Sequence, residues 1–407
     1  MSAKMPDNVS LNENGTPEKV LGQRGLSILA GLAAIGVLST NIILPSLRSI
    51  SEEMNVPMRD GGLLLSSFFV VFAMGQLVVG PLADRYGRKW MVLGGLALFA
   101  LGSFIAALAH SLPMMIFGRM VQAAGVCAPA VLSRAIARDL LEGPGLARAL
   151  SLIMVSMAAA PGFSPLLGGF IDRYLHWRAD FLIVALLGVV LGMLYAMHLG
   201  ETLPAHRRVA ASLANIPRRY IGLATDVRFI LPAAAVSLVI GGLYAFFAAT
   251  PTILMAGIGL NATTLGLFFT GTVLVVFASG IAAPHLAKRW GGYRVGLTGI
   301  ALAFAGGVSL LVIEPVLAHF TVAIAIFLLG MGLINPLGTA MALQAFAQQA
   351  GVASALLGFL QMSCAALLTA LAALLQLNPV TSLGLMLTVV SALALATFVA
   401  HGRLTKQ

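Results

Sequence analysis

A dozen apolar runs, each near twenty residues, fill this chain, and short polar breaks part them. A helix needs about 20 mostly apolar residues to cross the hydrocarbon core of a bilayer. One such run is compatible with a buried core helix; twelve in succession are not. Charge agrees: the 407 residues are 9% charged and 59% hydrophobic, with a mean hydropathy of +0.98, whereas soluble domains carry about 25% charged residues. The reading is an all-α membrane protein.

Apolar runs read against charged breaks predict spans at 25–45, 62–82, 91–110, 113–133, 149–170 and 181–199. Six more follow at 230–253, 265–286, 294–313, 319–342, 354–376 and 379–400. The expected organisation is a tail at 1–24, a six-helix half at 25–199, a basic linker at 200–229, a second six-helix half at 230–401 and a tail at 402–407. The first 23 residues read as a disordered cytoplasmic tail. The run from Gly25 is too long for a cleavable signal peptide and lacks its small-residue site, so it is expected to remain as the first helix.

The net charge of +10 does not point to nucleic acid, because the basic residues sit in short loops between apolar runs. With the N-terminus inside, cytoplasmic segments collect 19 Lys and Arg; the outer loops hold four: Arg48, Arg59, Arg173 and Arg178. That bias orients the protein with both termini cytoplasmic, in a cell inner membrane. The linker Gly200–Phe229 carries five arginines and reads as a membrane-surface helix held by anionic lipid. Cys127 and Cys364 lie far apart in apolar runs and read as packing residues, with no disulfide or metal spacing.

The richest polar break is Gly80-Pro81-Leu82-Ala83-Asp84-Arg85-Tyr86-Gly87-Arg88-Lys89. Gly80 is expected to let helices approach closely. Asp84 and Arg88 are expected to form a charged latch at the cytoplasmic face, made and broken as two halves rock. Arg85 and Gly87 complete this gate. A weaker copy, Lys288-Arg289-Trp290-Gly291, follows 204 residues later, as parallel internal repeats would give. The copy keeps the turn and loses the acid.

Arg119 lies within the fourth span, where a charge costs about 2.5–3.5 kcal/mol on insertion scales. It therefore faces a cavity or a partner, or it snorkels to the outer surface; Gln122 and Gly125 extend the same face. In the fifth span Pro161 and Pro165, with Gly168 and Gly169, make a pliable helix lining the path, or a merely kinked packing helix. Tyr244, Asn335 and Gln361 supply sparse polar points on otherwise greasy walls, which suits amphiphilic small molecules. Asn335-Pro336, after Gly330 and Gly332, could break the tenth span.

Gly80–Lys89 resembles the signature loop of the major facilitator superfamily nearly residue for residue. Arg119–Gly125 resembles its second motif, and Ala160–Gly169 its antiporter motif, with Ala160 and Ser164 in place of the usual glycines. Trp177-Arg178, Glu201-Thr202-Leu203 and Gly351–Gln361 are similar to the Bcr/CflA branch of drug:proton antiporters. The resemblance implies twelve transmembrane helices in two pseudo-symmetric halves. It also implies export of amphiphilic drugs in exchange for protons by alternating access.

One departure matters. Where that branch carries an acid before a proline in the first span, this sequence has Asn41 in Ser39–Pro45, and an amide cannot titrate. Asp84, Asp180, Glu314 and His198 are the remaining proton candidates. The alternative is therefore a uniporter, or an exporter of an endogenous metabolite, without proton coupling. No nucleotide-binding loop or catalytic cluster points to an ATP-driven pump or an enzyme. The expected partners are a small molecule, protons and membrane lipid, with no cofactor and no nucleic acid, on a monomer.

Overall fold

A computed structural model describes residues 9–11, 17–19, 21–204, 208, 216–312, 316–346, 349–375 and 377–404. The first half comprises α1 (Gln23–Asn41), short α2 (Leu47–Met54), α3 (Gly61–Tyr86), α4 (Arg88–Ala107), α5 (Leu112–Leu140), α6 (Gly143–Leu175) and α7 (Arg178–His198). Short α8 (Ile216–Thr225) leads to the second half: α9 (Val227–Pro251), α10 (Ala262–Trp290), α11 (Gly292–Val312), α12 (Leu317–Gln344), α13 (Ala350–Leu374) and α14 (Pro379–Leu404). All but α2 and α8 are long and apolar enough to cross a membrane, so the described residues hold the twelve expected spans. Within the polar N-terminal stretch, β1 (Val9–Leu11) and β2 (Pro17–Lys19) pair antiparallel. That pairing departs from the expected disorder there.

Several helices outrun their apolar runs at the end where Gly87 and Gly291 turn the chain. The Lys and Arg count makes that end the expected cytoplasmic one, and it takes the label inner end. Helix α3 continues through Asp84 and Arg85, α5 through Arg134 and Arg138, and α10 through Lys288 and Arg289. Hydropathy marks the edge of the hydrocarbon, whereas a helix ends only where its backbone bonds are replaced. At 33 residues, α6 is about 50 Å long and projects well beyond an apolar layer about 30 Å thick. Asp226 accepts from the backbone N–H of Arg228 at 2.9 Å and caps α9, so the linker ends sooner than residue 229. Glu314 and most of 205–215 lie outside the described residues.

The halves repeat one packing scheme. Helix α4 lies along α5 and α7, as α11 lies along α12 and α14; α3 meets α5 as α10 meets α12. Small residues allow these crossings, as is usual where helices meet within lipid. A Cβ at Gly102 would lie 2.2 Å from the Gln122 nitrogen, and one at Gly306, 204 residues on, would lie 2.6 Å from the Phe327 nitrogen. Two seams join the halves, α3 with α13 and α6 with α10. The outward faces are apolar: Leu186, Met193 and Met197 form an exposed stripe on α7, the polarity expected of a lipid-facing surface.

Candidate functional site

The inner end of the first half is held by one buried arginine. Gly87 turns the chain between α3 and α4 with φ 96°, a conformation open to glycine. A Cβ there would lie 2.3 Å from the Glu201 carboxylate. Arg88, the first residue of α4, reaches Asp84 one turn back at 2.8 Å and Asp139 at the end of α5 at 3.1 Å. Its backbone N–H donates to Glu201 at 2.9 Å. Thr202 donates to the same Asp139 oxygen at 3.3 Å, and Arg208 pairs with Glu201 at 3.3 Å. Three carboxylates from three segments thus converge on the start of α4, where helix-end N–H groups favour negative charge.

Every member of this hub belongs to the first half or to the chain just after it. The expected latch between halves is therefore made here within one half. Gly80 also departs from expectation: no heavy atom lies within 4 Å of a Cβ built on it. Leu77 of α3, one turn before it, still packs against the cluster that holds Leu356 and Leu357 of α13. Arg85 is exposed, with its guanidinium 5.4 Å from the Tyr86 ring. In the second half the Gly291 turn has φ 85° and Lys288 and Arg289 are exposed, so the geometry is repeated without the hub.

Burial alone pushes the Glu201 carboxyl up, but N–H bonds from Leu203, Arg88 and Lys89 and the Arg208 charge outweigh it. Its pKa therefore lies below the usual value of 4.5. A lowered folded-state pKa stabilises above the unfolded value and is lost as pH falls through the folded one. Glu201→Gln is thus expected to lower the Tm at neutral pH, by about 1 kcal/mol of stability. The gap to wild type should be constant above about pH 5 and shrink as the pH drops below about 4.5. A gap unchanged at pH 4 would contradict the ionic role.

A second polar layer lies in the outer half of the first six helices. Arg119 on α5 is fully buried, so it does not snorkel. Its Nη1 donates to the Ser39 carbonyl at 3.2 Å and to the Gln122 side-chain oxygen, and its Nε to the Leu64 carbonyl at 3.4 Å. The guanidinium carbon lies 4.4 Å from the Phe68 ring centroid, and Nη2 has no protein partner. Gln122 donates onward to Ser103 at 2.6 Å. Asn41, the last residue of α1, donates to its own helix at Val37, 2.7 Å away. Helices α1 and α3 cover this face of α5, so Arg119 and Gln122 do not line an open path in this arrangement.

The halves also meet around this layer. Phe69 of α3 stacks near Tyr244 of α9, centroids 4.5 Å apart. Thr270 of α10 donates to the Gly162 carbonyl of α6 at 2.8 Å. A Cβ at Gly168 would fall 1.8 Å from the Ile42 carbonyl oxygen, and one at Gly169 would fall 2.6 Å from that of Ala262. Helix α6 runs unbroken through Pro161 and Pro165, and its glycines seat it on the α1 turn and on α10. Toward the inner end the same helix exposes Leu152, Met154 and Val155. Asn335-Pro336 does not break α12, which is continuous; Pro336 removes a single backbone donor. Asn335 and Gln361 are half-buried on α12 and α13.

The family model of the Major Facilitator Superfamily matches residues 27–369. The chain belongs to the major facilitator superfamily. Multidrug resistance protein D of Escherichia coli (strain K12) is 29% identical over 374 residues, covering 90% of this chain and 93% of that protein. The bicyclomycin resistance protein homolog of Haemophilus influenzae is 27% identical, covering 87% and 89%. Among solved structures, a bacterial homolog of the human lysosomal transporter Spinster, inward-facing and occupied, superposes with a TM-score of 0.73. It is 15% identical, over 93% of this chain and 96% of that one. The likeness in sequence supports the Bcr/CflA-type resemblance, and the likeness in structure shows the fold.

In this superfamily transporter, Asp139 and Glu201 of the inner hub escape sequence reasoning. Glu201-Thr202 is legible as a signature, but its seat on the α4 N-terminus is not. Asp180 is fully buried at the outer end, accepting from Ser46 at 2.5 Å. Glu53 binds Arg178 at 2.5 Å and Trp177 at 2.7 Å beside it. His198 is exposed at the inner end of α7. No group of metal ligands gathers among the described residues.

Proposed function

We propose that this chain exports amphiphilic small molecules, drugs among them, by alternating access in exchange for protons. The observation that carries the reading is a seam between the halves that is filled unevenly. The halves touch through Phe69–Tyr244, Gly169–Ala262 and Gly62–Thr369, grooves lined from both halves lie at the outer end beside Met58 and Gly62, and a Cβ on Gly80 toward the inner end would meet no neighbouring helix within 4 Å. A rigid-body rocking that reverses this asymmetry would bring the Gly80 face of α3 onto α13 and the hub carboxylates toward the second half. The names of the relatives, multidrug and bicyclomycin resistance, support drugs as substrates. Both termini lie in the cytoplasm in this reading, and the membrane is the inner one.

Arg119 without a paired carboxylate leaves the first half neutral or positive at membrane depth, which favours neutral or anionic substrates. A second reading, transport without protons, is favoured by Asn41, whose amide is spent on its own helix and does not titrate. Vesicles with an imposed pH gradient distinguish the two: the exchanger moves substrate and protons in opposite directions, in a fixed ratio. Arg119→Ala is expected to reduce that flux about tenfold, a loss of about 1.4 kcal/mol of coupling or positioning. Substrate movement indifferent to the gradient would leave the uniporter. Cationic dyes as best substrates, untouched by Arg119→Ala, would overturn the charge preference.

A further inference from the structure

The repeated packing scheme of the two halves fails at one place. In the second half α9 packs along α14 over much of its length; the corresponding pair in the first half, α1 and α7, touches only lightly. Their close approach is at Gly31, where a Cβ would lie 3.1 Å from Leu191. Toward the inner end the two helices diverge and leave a groove of about 490 Å³, lined by Gln23, Arg24, Ser27, Ile28, Leu191, Leu194 and His198.

The groove is divided by chemistry as a lipid is. Its deeper wall is Ile28, Leu191 and Leu194, and its mouth at the inner end carries Gln23, Arg24, Ser27 and His198. No acid lines it, and Arg24 makes no ion pair among the described residues. Arg88 and Arg208 of the inner hub, by contrast, meet carboxylates. His198 turns Nδ1 to the Leu194 carbonyl at 3.0 Å; as an imidazolium it would still hold one N–H, on Nε2, free to donate to an anion. A soluble anion would have no use for the apolar wall, and a neutral lipid none for the unpaired cation. Basic pockets between membrane helices on the cytoplasmic side suit anionic headgroups.

We propose that the α1–α7 groove holds one anionic phospholipid of the cytoplasmic leaflet, its phosphate at Arg24 and His198 and an acyl chain along Ile28, Leu191 and Leu194. The choice of leaflet rests on the orientation proposed above. Both helices belong to one half, so the lipid rides with that half through the transport cycle and fills a seam that side chains close in the other.

The test is retention of phosphatidylglycerol by the full-length protein in mixed phosphatidylglycerol–phosphatidylcholine nanodiscs, followed by native mass spectrometry. One tightly held phosphatidylglycerol is expected on the wild type. Arg24→Gln should reduce its retention about fivefold, the weight of one basic group near the surface. Arg24→Gln with His198→Gln should reduce it further, and Arg403→Gln, at the inner end of α14, should change nothing. Equal retention by wild type and double variant, or equal retention of phosphatidylcholine, would overturn the site. Because the groove is peripheral, a thermal melt confirms that the double variant stays folded in phosphatidylcholine alone. Labelling of Gln23→Cys by an impermeant maleimide keeps the orientation separate. Reaction only after permeabilisation supports the cytoplasmic leaflet. Reaction from outside overturns that leaflet and the orientation, whether or not the lipid binds.

Discussion

Arg88→Ala is expected to abolish most transport and to lower the stability of the folded protein. The guanidinium is the sole cation that touches both Asp84 and Asp139, at 2.8 and 3.1 Å among the described residues. Removing it leaves two carboxylates, with Glu201 close by, converging on one helix start. Breaking a fully buried pair costs about 3–5 kcal/mol. Asp84 is half-exposed and water screens part of that, so about 2 kcal/mol is expected, read as a fall in Tm. Arg88→Lys restores charge without the fork that spans two acids, and recovery of a minority of the lost flux is expected. Asp139→Asn should resemble Arg88→Ala more closely than Asp84→Asn does, because Asp139 is the more buried partner. Wild-type flux in Arg88→Ala vesicles would show that the hub is not part of the transport cycle.

Gly168→Ala is the second large effect. The added methyl would fall 1.8 Å from the Ile42 carbonyl oxygen, a backbone atom in the turn that carries Asn41 to α2. Neither side has a flexible side chain to move, so α6 and the α1 turn must separate. Overpacking of a tight site costs typically about 1–3 kcal/mol, and this contact belongs at the upper end. Because α6 is also seated on α10 through Gly162 and Gly169, the displacement reaches the seam between halves. Transport is expected to fall at least tenfold. Gly80→Ala is the control for stability: with no atom within 4 Å, the Tm should stay within about 0.5 kcal/mol of wild type. A stable, fully active Gly168→Ala protein would contradict the packing.

The hub and the Arg119 layer differ in how far the residues alone reveal them. Asp84, Gly87 and Arg88 are neighbours in sequence, and the i to i+4 spacing of Asp84 and Arg88 already pairs them on a helical path. Asp139 and Glu201 join them from 51 and 113 positions beyond Arg88, and no local pattern states that meeting. Likewise Arg119 and Gln122 share a helix face by spacing. Burial beneath α1 and α3, with Ser39 and Leu64 carbonyls as acceptors, depends on how the helices of the first half pack on one another. The continuity of α12 through Pro336 is a related case. Proline signals a lost donor, and whether the helix breaks depends on the neighbours that clamp it.

The sequence by itself determined the class, the number of spans and the two-fold repeat, because hydrocarbon demands long apolar helices whatever their partners. It also determined the turn glycines at 87 and 291, since a positive φ is a local requirement. The tertiary structure alone decided which charges meet, which helices join the halves and where the two halves differ. Those depend on distances between helices far apart in the chain: Arg88 with Asp139 and Glu201, Gly168 with Ile42, and the gap between α1 and α7 that the second half closes.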